Sequence, residues 1–61
     1  MKLKIEIRMD NAAFEQYPEV EVGRILGILV KKLDVQGVDT RTDLPLLDIN
    51  GNRVGFAKVT R

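Results

Sequence analysis

The sequence predicts a single α+β domain spanning residues 1–61, built as two layers in the order β-α-β-β, with one main helix packed on one face of a three-stranded sheet. Three observations lead there. Residues 2–9 alternate apolar and charged positions, residues 22–33 repeat apolar positions at three- and four-residue spacing, and Asn50-Gly51 separates two apolar arms near the C-terminus.

In the first segment, Leu3, Ile5, Ile7 and Met9 point one way and Lys2, Lys4, Glu6 and Arg8 the other. Period two is the mark of a strand with one buried face. "DNAAFEQYPE" breaks the alternation, and Asp10 or Asn11 is placed to cap a short helical turn through its side-chain oxygen. Pro18 suits the first turn of the main helix, where a missing N–H costs nothing. Glu19 and Glu21 stand near the positive helix end and Lys31 and Lys32 toward the negative one. Val22, Ile25, Leu26, Leu29 and Leu33 form the apolar stripe, which Ile28 and Val30 widen, leaving a flank exposed or covered by a partner. Gly23 and Gly27 sit four apart in this helix, either tolerated there, allowing close approach to the sheet, or marking a contact with another subunit.

Gly37 falls at the helix C-cap. A terminal hairpin follows, with Leu46–Ile49 and Asn52–Val59 as arms and Asn50-Gly51 as a two-residue type I′ turn. That turn sets Asp48 across from Arg53 and Leu47 across from Val54, and it sends Leu47, Ile49, Val54 and Phe56 into the core. Pro45 cannot donate to a ladder, which favours an outer position for the second strand. The predicted order is therefore 1-3-2, with 1-2-3 as the alternative if Pro45 precedes the strand. The expected core is Leu3, Ile5, Ile7, Val22, Ile25, Leu26, Leu29, Leu33, Leu47, Ile49, Val54 and Phe56.

Composition excludes more than it assigns. Hydrophobic residues at 44% and charged residues at 31% belong to a folded globule. There is no cysteine for a disulfide and no histidine, which removes the usual zinc ligands and the usual base near neutrality. The charges interleaved through "MKLKIEIRMD" do not form a signal-peptide core, and no apolar run reaches membrane-spanning length, so the expected location is cytoplasmic. Ten basic residues against nine acidic ones give a net charge of +1, which selects no partner.

Asp48, Asn50 and Asn52 are spaced like the first ligands of a calcium loop. Such a loop also needs glycine at its sixth position and a bidentate glutamate at its twelfth. Counted from Asp48, those positions hold Arg53 and Val59, so no metal site is expected. No cofactor is expected either, and no catalysis: Asp10 and Glu15 read as cap and solvated surface, and a fold this size offers little depth for a paired-carboxylate cleft.

Two functional readings remain. The first is a non-catalytic protein-interaction module, self-association included, working through an open sheet face that exposes Leu46, Ala57 and Val59 or through a sheet edge. Its partner would be an unidentified protein or a second copy of the chain. The alternative is nucleic-acid binding through Lys2, Lys4, Arg8, Arg53 and Arg61 on the outer sheet face, disfavoured because no aromatic is expected there for base stacking.

At "IEIRMDNAAFE", "EVGRILGILVKKL" and "LLDINGNRVG" the chain resembles a family of small, uncharacterised bacterial and prophage proteins of about this length. The resemblance covers the first strand, the "DNAAFE" junction, the helix and the terminal hairpin. It implies a shared fold and a phage or mobile-element setting, such as a structural accessory protein, and it carries no functional residues. Gly23 and Gly27 depart from the alanine or charged residues more usual in such a helix.

Overall fold

A computed structural model describes the whole chain, Met1–Arg61. The alternating segment forms β1, Lys2–Ile7. Asn11 then caps a 3-10 turn over Ala12–Phe14, its Oδ1 accepting from the Ala13 N–H at 3.0 Å. The main helix, α1, runs Pro18–Gln36 with Pro18 in its first turn, and it ends at Gly37, whose φ of 77° lies in the region L side chains avoid. Strands β2, Asp43–Leu47, and β3, Arg53–Thr60, complete the chain.

The sheet order is β1-β3-β2, with β3 antiparallel to both neighbours. β1 and β2 are therefore parallel to each other, as the helical crossover between them requires. Pro45 lies within β2, on an edge. The Val59 N–H donates to the Thr42 carbonyl, so by period two Leu44 and Leu46 direct their backbone groups to β3 and Pro45 directs its own outward. The absent N–H thus costs the ladder nothing.

The hairpin departs from the expected turn. Only glycines have positive φ, so Asn50 cannot occupy a type I′ turn, which demands positive φ at both central positions. Instead the Gly51 N–H donates to the Asp48 carbonyl (3.0 Å), the Asp48 N–H donates to the Asn52 carbonyl (2.9 Å), and Gly51 alone takes φ 85°. This is a three-residue loop, a type I turn closed by a glycine in the left-handed region.

A bulge between Leu46 and Leu47 cancels the added loop residue, so Asp43–Leu46 keep the partners that a two-residue turn would give them, and it is the other face of that pairing that meets α1. Leu46 faces Gly55 and Leu44 faces Ala57, all toward α1, while Leu47 pairs with Arg53 and Pro45 with Phe56 on the other side. The bulge leaves Val54 as an extra residue of β3, which lets it rejoin the core.

The core is Phe14, Ile25, Leu29, Leu46, Val54 and Ala57, with Ile7, Ala13, Val22, Leu33 and Leu44 packed around it. Of the expected core, Ile49 is exposed in the turn, Leu47 is exposed and Phe56 half-buried on the outer face, and Leu26 is exposed on the flank of the helix stripe. Leu3 and Ile5 do point to the helix side, paired with Val59 and Ala57. They stay 42% and 45% exposed because α1 lies against β2 and the 3-10 turn, leaving β1 uncovered. Gly55 is buried where β1 crosses it. A Cβ there would overlap the Glu6 carbonyl oxygen and lie 2.8 Å from its carbon, so only glycine fits. Gly23 and Gly27 face open space, not the sheet.

Candidate functional site

The polar residues of "LDINGN" converge on two buried carboxylates. Asp48 is 3% exposed and Glu21 6%. Asp48 Oδ1 accepts from the N–H groups of Asn50 and Asn52, both at 2.9 Å, and Oδ2 accepts from the amides of Asn11 (2.7 Å) and Asn52 (3.2 Å). Glu21 binds Arg24 through two parallel hydrogen bonds, 2.9 and 3.0 Å, and accepts the Ile49 N–H at 2.8 Å. Arg24 also donates to the Leu47 carbonyl at 3.1 Å. α1 is thus fastened to the hairpin from above, and the 3-10 turn from the side.

The charge balance follows from these bonds. Burial alone would raise the Asp48 carboxyl, but the Asn52, Asn11 and Asn50 donors outweigh it and hold it below the usual carboxylate range. Glu21 is lowered as well, chiefly by its hydrogen bonds to Arg24, against the opposing effect of burial. Arg24 is raised by the same pair.

Both Asp48 oxygens are surrounded by N–H donors, the opposite of what a cation would require. No group of three carboxylate or other metal-ligating side chains occurs in the chain, and every buried side-chain polar atom has a partner. The cluster clamps α1 and the 3-10 turn to the hairpin.

Beside the clamp, between α1 and the β2 end of the hairpin, lies a cleft of about 240 Å³. Ile25, Leu29 and Leu46 contribute buried side chains, while Ile28 and Ile49 are 43% and 67% exposed around it. Arg24 and Lys32 also line it. Arg24 is neutralised by Glu21, so Lys32 is the uncommitted cation.

The sequence-predicted interaction residues do not form an open face. Leu46, Ala57 and Val59 are 4%, 0% and 5% exposed, on the sheet face that α1 covers, while Leu47 and Phe56 lie on the other face. The basic residues are distributed along the outer face. Lys2 and Lys4 belong to one end with Thr60 and Lys58 opposite, and Arg61 follows β3 there. Arg8, whose N–H donates to the Val54 carbonyl, and Arg53 belong to the other end. Glu6 lies between, across from Phe56, and Asp43 faces Lys58. Arg53 pairs with Leu47, not Asp48.

Sequence reasoning placed Asn11 as a cap and Glu21 near the positive helix end, but it missed their bonds to the hairpin, and it missed Phe14 as a core residue. The Asn11–Asp48 hydrogen bond spans 37 residues and joins "DNAAF" to "DINGN", the two pieces whose combination carried the family resemblance. Their joint occurrence was the available signal. No protein-family model, curated protein or solved structure matches the chain.

Proposed function

We propose that this chain is a non-catalytic protein-interaction module that receives an apolar side chain of a partner protein in the cleft between α1 and the hairpin. The observation that carries the reading is the pair of exposed apolar residues Ile28 and Ile49 beside an apolar floor. Such surface is normally buried in a chain this small, and here the Glu21–Ile49 hydrogen bond holds it rigid. Lys32 at the rim favours an acidic group beside the apolar anchor.

The test is capture of partners from a bacterial lysate by the wild-type protein and by Ile49→Asp, a change at an exposed turn position. The reading expects a protein held by the wild type, released by the variant, and shifting the resonances of Ile28 and Ile49. Capture that survives Ile49→Asp unchanged contradicts it.

A second reading is favoured by one observation. Phe56 stands on the outer face in the central strand, next to the row formed by Lys4 and Lys58, so the aromatic needed for base stacking is present after all. Oligonucleotide binding would then weaken steeply with salt and be lost in Phe56→Ala. Absence of binding at low salt removes this reading. Glu6 and Pro45 flank Phe56 and limit its stacking surface, which is why the cleft is preferred.

A further inference from the structure

β1 is an open edge. The Arg8 N–H donates across to Val54, so by period two Lys2, Lys4 and Glu6 direct their backbone groups to β3, while Leu3, Ile5 and Ile7 direct theirs outward. None of the turn, loop or cap hydrogen bonds reaches those outward groups. The same strand leaves Leu3 and Ile5 exposed on its helix side. Leu26 and Val30, 37% and 65% exposed, lie by helical period on the flank of α1 away from Arg24, Ile28 and Lys32, toward β1.

The geometry points to a symmetric homodimer in which β1 pairs antiparallel with β1 of a second copy, fusing two three-stranded sheets into one. "KLKIEI" is self-complementary in this arrangement. With the two-fold axis at Lys4, Leu3 meets Ile5 of the second copy on the helix side, and Lys2 meets its Glu6 on the outer side, each pair occurring twice. One like-charge contact, Lys4 with Lys4, falls on the axis. Moving the axis to Ile5 would keep two Lys4–Glu6 pairs but create two contacts between Lys2 and Arg8, so the Lys4 register is the better one. The axis stands perpendicular to the sheet, so both helices lie on the same face and their Leu26 and Val30 flanks look at each other across the joined β1 strands.

This inference shares with the interaction reading only the premise that the chain works by binding protein. The cleft lies at the opposite edge of the sheet and stays free in the dimer.

Sedimentation equilibrium from about 1 μM to about 1 mM reads the assembly directly. The mass should rise from 6.9 kDa toward twice that value. Ile5→Lys puts a charge on the exposed edge and should weaken association at least about tenfold with an unchanged circular dichroism spectrum. Lys4→Glu mixed with wild type should form the mixed dimer in excess of the statistical proportion, because the like-charge contact on the axis becomes a Lys–Glu pair. A single 6.9 kDa species at every concentration overturns the inference, as does a mixture at the statistical proportion. A dimer indifferent to Ile5→Lys but lost in Ile49→Asp also overturns it, placing self-association in the cleft and leaving the interaction reading standing. A dimer lost in Ile5→Lys and untouched by Ile49→Asp supports it.

Discussion

β1 and β2 flank the same central strand, yet the two edges are finished differently. β2 has Pro45 where an outward N–H would stand, the Leu47 carbonyl occupied by Arg24, and a bulge opposite its last turnward pair. Glu21 and Asp48 fasten its end to α1 and to the 3-10 turn. β1 has six uninterrupted pairs with β3, no proline, no side chain across its outer edge and two exposed apolar residues on its helix side. Proline, bulges and covering side chains are among the devices by which sheets prevent further pairing, and edge lysines are another. β2 carries the first three, and β1 carries only Lys2 and Lys4. β1 is the less protected edge, and the proposed dimer would use it.

The largest effect on this comparison should come from Gly55, where β1 crosses β3 most closely. Gly55→Ala drives a methyl into the Glu6 backbone, which cannot move aside as a flexible side chain would. The expected loss is upwards of about 3 kcal/mol, a large share of the stability of a small domain. Urea unfolding should detect it, with β1 detaching first. A variant with the wild-type midpoint would show that the close crossing is absent.

A smaller effect, confined to the β2 side, should appear in acid. Asp48 and Glu21 are both lowered in the folded chain, so on acidification the unfolded chain takes up protons first. Their stabilisation is complete above the ordinary carboxylate range and is lost as the pH falls through the depressed folded values. The urea midpoint should therefore hold steady down to about pH 5 and decline below about pH 4. Resonances of residues 48–52 should broaden before those of β1. Asp48→Asn should flatten the decline. Acid loosening that starts at β1 would contradict the clamp.

The smallest effect should come from the helix face that touches neither edge. Gly23 and Gly27 have open space where a methyl would go, so each change to alanine should stabilise by about 0.5–1 kcal/mol through backbone entropy and leave association unaltered. A fall in dimer affinity in Gly27→Ala would return these glycines to the status of a contact surface.

The asymmetry of the edges was partly legible in the sequence. Pro45 and the alternation of β1 were enough to predict the order 1-3-2, because a missing donor and a period of two constrain topology directly. The face of β2 was not legible. The pairing of Leu46 with Gly55 is the same whichever face is buried, and the face that meets α1 is set by residues far along the chain: Phe14 and Ile25 join Leu46 and Ala57 in the core, and Asn11 reaches Asp48 through a hydrogen bond. Local propensity cannot count such a bond. The exposure of Leu3 and Ile5 was hidden for another reason: alternation tells which way a side chain points, not whether a helix arrives to cover it.

Amide hydrogen exchange followed as a function of protein concentration tests the central claim most directly, because the outward N–H groups of the two edges are read in one sample. The account predicts that exchange at Leu3 and Ile5 slows as concentration rises through the dimer range, while Asp43 and Leu47, the outward donors of β2, exchange at a constant rate. Concentration-independent exchange at Leu3 and Ile5, or protection that builds instead at Asp43 and Leu47, would contradict it.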